Sequence, residues 1–192
     1  MHLTLPTWLT LARIAMVPVF VAAFFLPVES ANVICTALFA AAAITDWLDG
    51  WLARRLGQIS DFGAFLDPVA DKLMVAVTLF LLVQDNPTVP MAIISAVIVG
   101  REITISALRE WMALIGERAR VKVAGIGKIK TIMQMVALIV LLYQKDLDGL
   151  RLFHVGEVLL GIAAVLTIWS GLVYARAALP VLRASEGVRH AD

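Results

Sequence analysis

Apolar residues run through this chain in six long blocks, separated by short polar breaks. The blocks fall at Thr7–Leu26, Ala31–Leu52, Phe62–Val83, Val89–Ile115, Gly125–Tyr143 and Phe153–Leu179. Each is too long for a strand and close to the ~20 apolar residues that carry a helix across a bilayer. The breaks at Pro27-Val28-Glu29-Ser30, at Gln84-Asp85-Asn86-Pro87 and at Gln144-Lys145-Asp146-Leu147-Asp148-Gly149 combine polar groups with Pro, Asn or Gly, the composition of turns. The pattern predicts an all-α polytopic bundle of six transmembrane helices forming one domain over residues 1–192.

Composition agrees. Hydrophobic residues make up 61% of the 192 positions and charged residues 16%, with a mean hydropathy of +0.90. So few charges cannot cover a water-facing surface, so lipid is the expected solvent. Six spans use roughly 120–150 residues, which leaves short loops and no separate soluble domain. The N-terminus lacks the basic region of a cleaved signal peptide, so Leu9–Leu26 is read as a retained first span. Cys35 is the sole cysteine and excludes an intramolecular disulfide; it reads as a small core residue.

Charge orients the bundle. Alternate breaks fall on opposite sides. One side holds Lys145 and Arg151 against Glu29, Asp85, Asp146 and Asp148, whereas the other holds Arg54, Arg55, Arg118, Arg120, Lys122, Arg183 and Arg189. Lys and Arg concentrate in cytoplasmic loops, so both termini are expected in the cytoplasm. Trp8, Trp47, Trp51 and Trp111 fall near that surface and read as interface or packing residues.

Residues 46–71 carry the strongest chemical signal. Asp46 and Asp49 are three apart at the end of the second block, and Asp67 and Asp71 are four apart near the start of the third. Such spacings place each pair on one helix face. A short turn around Gly57 makes the two helices antiparallel neighbours, so the pairs meet at one depth. Four carboxylates so close stay ionised together only with a cation among them. Hard divalent ions favour such oxygen ligands and join them to phosphates; two ions suit phosphoryl transfer. Gly50, Ala53 and Gly63 let a bulky ligand approach the backbone, or alternatively serve close helix packing. Arg54 is placed to reach a phosphate or to snorkel to the surface.

Further basic residues interrupt later blocks. The run GREITISALREW puts Arg101, Glu102 and Arg109 in the fourth, and GIGKIKT puts Lys128 and Lys130 at the start of the fifth. Arg101 and Arg109, eight apart, share roughly one face. Arg101, Arg109, Lys128 and Lys130 form a candidate pocket for a second, anionic substrate. The alternatives are a pair between Arg101 and Glu102, and lysines that only orient the chain.

The acidic segment resembles the signature of the CDP-alcohol phosphotransferase family, D-x2-D-G-x2-A-R-x8-G-x3-D-x3-D, matched by Asp46, Asp49, Gly50, Ala53, Arg54, Gly63, Asp67 and Asp71. The resemblance implies transfer of a phosphatidyl or similar group from a CDP-linked donor to an alcohol, with release of CMP. It implies that Asp46, Asp49, Asp67 and Asp71 hold two divalent ions, Mg²⁺ or Mn²⁺, and that Asp71 is also the general base. Gly50, Ala53, Arg54 and Gly63 would line the CDP pocket, with Thr10 as a further donor contact. Family members are usually homodimers with a cytoplasm-facing site. Three strings, LPTWLTLARIAMVP, REITISALRE and GKIKTIMQM, look like the branch that uses glycerol 3-phosphate; Thr7 departs from the Asn of its opening N-x2-T-x2-R pattern, whereas Thr10, Arg13 and Pro18 fit. The expected partners are CDP-diacylglycerol, glycerol 3-phosphate and membrane lipid, with no nucleic acid, in a bacterial inner membrane. Other acceptors (inositol phosphate, serine, phosphatidylglycerol) and, in a different class, a divalent-cation transporter are the alternatives.

Overall fold

The structure, a computed structural model, describes residues 5–56, 61–114, 126–144 and 151–189. The described residues form six helices: α1 (Leu5–Phe24), α2 (Ala31–Leu56), α3 (Asp61–Asp85), α4 (Val89–Leu114), α5 (Ile126–Tyr143) and α6 (Leu152–Arg189). The expected blocks and these helices coincide to within a few residues at most ends. The exception is α6, which continues ten residues past the expected end at Leu179, through what reads in sequence as a short polar tail. Four stretches are long and apolar enough to cross a membrane: Thr7–Phe24, Ala31–Asp49, Val89–Leu114 and Leu152–Leu179. Among the described residues, α3 does not meet that measure, since it carries Asp67, Asp71 and Lys72 within its apolar run, and Ile129–Tyr143 in α5 is a shorter apolar stretch.

Two helix junctions show how local sequence sets the boundaries. Thr88 caps α4: its hydroxyl accepts from the Met91 N–H at 3.3 Å, which satisfies one of the unpaired donors of the first turn. Gln144 ends α5 in the left-handed region, at φ 52°. Its side chain donates to Asp85 at 2.7 Å and accepts from Asn32 at 3.2 Å. That network ties together one end of α2, α3 and α5.

The helices pack around one apolar core. α1 lies against both α2 and α3, which touch each other only lightly; α5 packs extensively on α6, α4 on α6, and α2 on α5. The core runs through Phe20, Phe39, Leu79, Ile98, Leu138 and Leu160, with Phe20 and Phe39 in tilted contact at 6.5 Å. Cys35 is buried in it. Helices in lipid gain little from burying apolar area and rely on close approach. Gly156 shows this, since a Cβ there would lie 2.7 Å from Leu141 Cγ. The outward faces stay apolar, as at Phe80, Ile93, Val165 and Trp169.

Up-and-down connectivity brings the N-terminal parts of α1, α3 and α5 to the same end as the C-terminal parts of α2, α4 and α6. Asp46, Asp49, Asp67, Asp71, Arg101, Glu102, Arg109 and Lys130 lie at that end. Trp8, Trp47 and Trp51 are exposed there, and Arg55 stacks 4.9 Å from the Trp51 ring centre. Trp111 packs beside Met112 and Ala178. His154 lies at the other end, 3.1 Å from Glu157.

Candidate active site

The acidic cluster is organised by α1. Thr10 and Arg13, one helical turn apart, face α3 and α2 respectively. The Thr10 hydroxyl donates to Asp67 at 2.6 Å. Arg13 is 2% exposed and forks across the two α2 carboxylates: Nη1 donates to Asp46 and Nη2 to Asp49. A buried guanidinium is stable only when paired in this way. Part of the positive charge that four neighbouring carboxylates require is supplied by the protein itself.

Asp71 stands beside this fork. It lines a small cavity with Arg13, Phe39 and Met135. It is also close enough to interact through charge with Asp46 and Arg13 and with Glu102, which belongs to a second, basic cluster.

The basic cluster is built on α4, α5 and α6. Arg101 Nη1 lies 3.1 Å from Glu102 Oε1, and Lys130 Nζ donates to that same oxygen. Arg101 Nη2 donates to Ser170 Oγ on α6 at 2.9 Å. Arg109 lies over the Tyr174 ring, 5.3 Å from its centre, a cation–π contact. Lys130 is 4% exposed, so its ammonium is no loose surface charge.

The structure thus brings Thr10, Asp46, Asp49 and Asp67 together around α1, with Asp71 adjacent, and gathers Arg101 and Lys130 around Glu102. Among the described residues, no three acidic, His or Cys side chains are close enough to hold a metal ion as they stand. α2 and α3 touch each other, and α1 packs against both among the described residues. Gly63 is buried in α3. Gly50, Ala53 and Arg54 lie in the last turns of α2 and Lys128 in the first turn of α5, but their side chains lie outside the described residues. The Thr10 hydroxyl engages Asp67.

Sequence reasoning assigns no site role to four participants. Arg13 carries a legible signal, a lone charge inside an apolar block, three residues after Thr10. Glu102 was weighed only as a partner for Arg101, and it bridges two helices. Ser170 and Tyr174 are ordinary residues for a membrane helix, and nothing in the sequence marks them.

The match to known proteins agrees with this geometry. Residues 3–169 match the family model for CDP-alcohol phosphatidyltransferase, and the chain belongs to that family. It is 51% identical over 180 residues to the CDP-diacylglycerol–glycerol-3-phosphate 3-phosphatidyltransferase of Sodalis glossinidius, with 93% of this chain and 96% of the relative covered. The enzymes of the same name from Yersinia enterocolitica and Pectobacterium atrosepticum are 51% and 50% identical, over the same shares of each chain.

Proposed function

We propose that the protein transfers the phosphatidyl group of CDP-diacylglycerol to glycerol 3-phosphate, giving phosphatidylglycerophosphate and CMP. The names of its relatives support the reaction. The observation that carries the chemistry is that Asp71 lines a cavity with Arg13, the partner of the carboxylate cluster, and lies within charge range of Glu102 in the cationic one. A diphosphate donor and a phosphorylated acceptor need opposite surroundings, and a proton acceptor close to both can serve both.

The donor set fits divalent ions: it holds carboxylate oxygens and no His or Cys, and Arg13 shows that a positive charge is stable there. Asp46, Asp49, Asp67 and Asp71 would hold two ions, Mg²⁺ or Mn²⁺. When bound, such ions neutralise the diphosphate and make CMP a better leaving group. The residues of the chain do the rest. Asp71 takes the proton of the acceptor hydroxyl as its oxygen bonds to the phosphatidyl phosphorus and the bond from that phosphorus to the CMP oxygen breaks. Thr10 orients Asp67. Gly50, Ala53, Arg54 and Gly63 would line the CDP pocket. Arg101, Arg109, Lys128 and Lys130 would hold the acceptor phosphate.

The excess of Lys and Arg at this end of the bundle supports a site at the cytoplasmic face of a bacterial inner membrane, with six spans and both termini inside. The chain would act as a homodimer, as its relatives' family implies. Membership of that family argues against the transporter alternative.

Offering glycerol 3-phosphate, inositol phosphate, serine and phosphatidylglycerol separately, with CDP-diacylglycerol and Mg²⁺, tests the acceptor. Phosphatidylglycerophosphate formed with glycerol 3-phosphate alone supports the reading. Product with another acceptor instead would keep the chemistry and replace the acceptor.

A further inference from the structure

We propose that Glu102 is a positioning residue: its Oε1 gathers Arg101 and Lys130 into one anion-binding pair, and the Ser170–Gly171 step of α6 fixes Arg101 within it. The inference rests on the reading that these cations receive the acceptor phosphate, and it names what makes them a site.

Arg101 and Lys130 come from different helices, yet both reach the same carboxylate oxygen. Two cations so close repel one another, and the repulsion grows as water is excluded. Both side chains are long enough to snorkel apart toward the membrane surface. Glu102, adjacent to Arg101 on α4, removes that tendency. It does so without cancelling the site: Arg101, Arg109 and Lys130 against Glu102 leave two positive charges in excess. A phosphate monoester carries up to two negative charges near neutrality.

The α6 side of the clamp is equally specific. Ser170 Oγ donates its proton to the Thr167 carbonyl at 3.1 Å, so its oxygen is turned to accept from Arg101. At the next residue a Cβ would lie 3.3 Å from Arg101 Nε and 3.4 Å from its Cγ. Gly171 therefore leaves the channel along which the Arg101 side chain lies. One turn further, Tyr174 backs Arg109. α6 thus presents a hydroxyl, a gap and an aromatic face to the basic side of α4.

The test is steady-state kinetics on the purified full-length protein, varying glycerol 3-phosphate and CDP-diacylglycerol separately. Glu102→Gln and Ser170→Ala should raise the acceptor KM by about ten- to a hundredfold, the worth of one charge-assisted contact, with the donor KM unchanged and kcat much less affected. Inorganic phosphate should lose potency as a competitor in the same variants. Glu102→Asp, which keeps the charge, should recover part of the loss. If Glu102→Gln fails to fold, Ser170→Ala, which deletes one hydroxyl, decides the matter. An unchanged acceptor KM in folded variants, or a parallel rise in donor KM, overturns the inference alone. Wild-type protein that ignores glycerol 3-phosphate overturns the functional reading and the inference with it.

Discussion

Arg13 donates to Asp49 from inside the bundle, and both side chains are almost wholly buried. This ion pair joins the first helix to the segment that carries the family signature. With Asp46 as second acceptor, it gives the acidic cluster a resident positive charge. A divalent ion bound to the same carboxylates would share or replace that charge.

Removing Arg13 should therefore expose a dependence on divalent ions. Arg13→Ala removes the ion pairs to Asp46 and Asp49, and breaking a buried pair costs about 3–5 kcal/mol. The variant should unfold at a markedly lower temperature than wild type in EDTA, and Mg²⁺ should recover more of the loss than it adds to wild type. Thermal unfolding in detergent with and without Mg²⁺ measures this. An equal Mg²⁺ response in both proteins would separate Arg13 from the ion site.

The basic residues should act on the acceptor. Lys130→Ala and Arg109→Ala should each raise the KM for glycerol 3-phosphate more than that for CDP-diacylglycerol. The Lys130 variant should be the more severe, because Lys130 is buried and bonded to Glu102, whereas Arg109 is exposed and held by an aromatic face. An unchanged acceptor KM in both would move the phosphate pocket elsewhere.

Packing gives an independent prediction. Gly156→Ala would press a methyl group against Leu141 Cγ and approach the Leu141 backbone nitrogen at 3.3 Å. Overpacking of this kind costs about 1–3 kcal/mol. Leu141→Ala in the same chain should relieve part of it, which a double-mutant cycle on unfolding midpoints would register as coupling. Strict additivity would mean that α5 and α6 are spaced by other contacts.

Much of this architecture was legible because lipid simplifies the code: long apolar runs mark helices, and every charge inside one stands out. Asp46, Asp49, Asp67, Asp71, Arg101 and Lys130 could be placed at one end of the bundle from spacing and alternation alone. What spacing could not supply was which helix packs against which. The short link between α2 and α3 makes them neighbours, but it does not reveal that α1 packs against both, with Thr10 and Arg13 as partners of the carboxylates. The same limit hid Ser170 and Tyr174, whose roles come from the crossing of α4 and α6. The polar end of α6 read as a tail because its charges lie beyond the apolar run, although the helix continues through them to Arg189.

The most direct test of the central claim compares wild type with Asp71→Asn in CMP release and lipid product formation, using CDP-diacylglycerol, glycerol 3-phosphate and Mg²⁺, with donor binding measured alongside. The account predicts phosphatidylglycerophosphate and CMP from wild type, and no turnover from the variant despite near-normal donor binding. A variant that turns over normally would contradict Asp71 as the base.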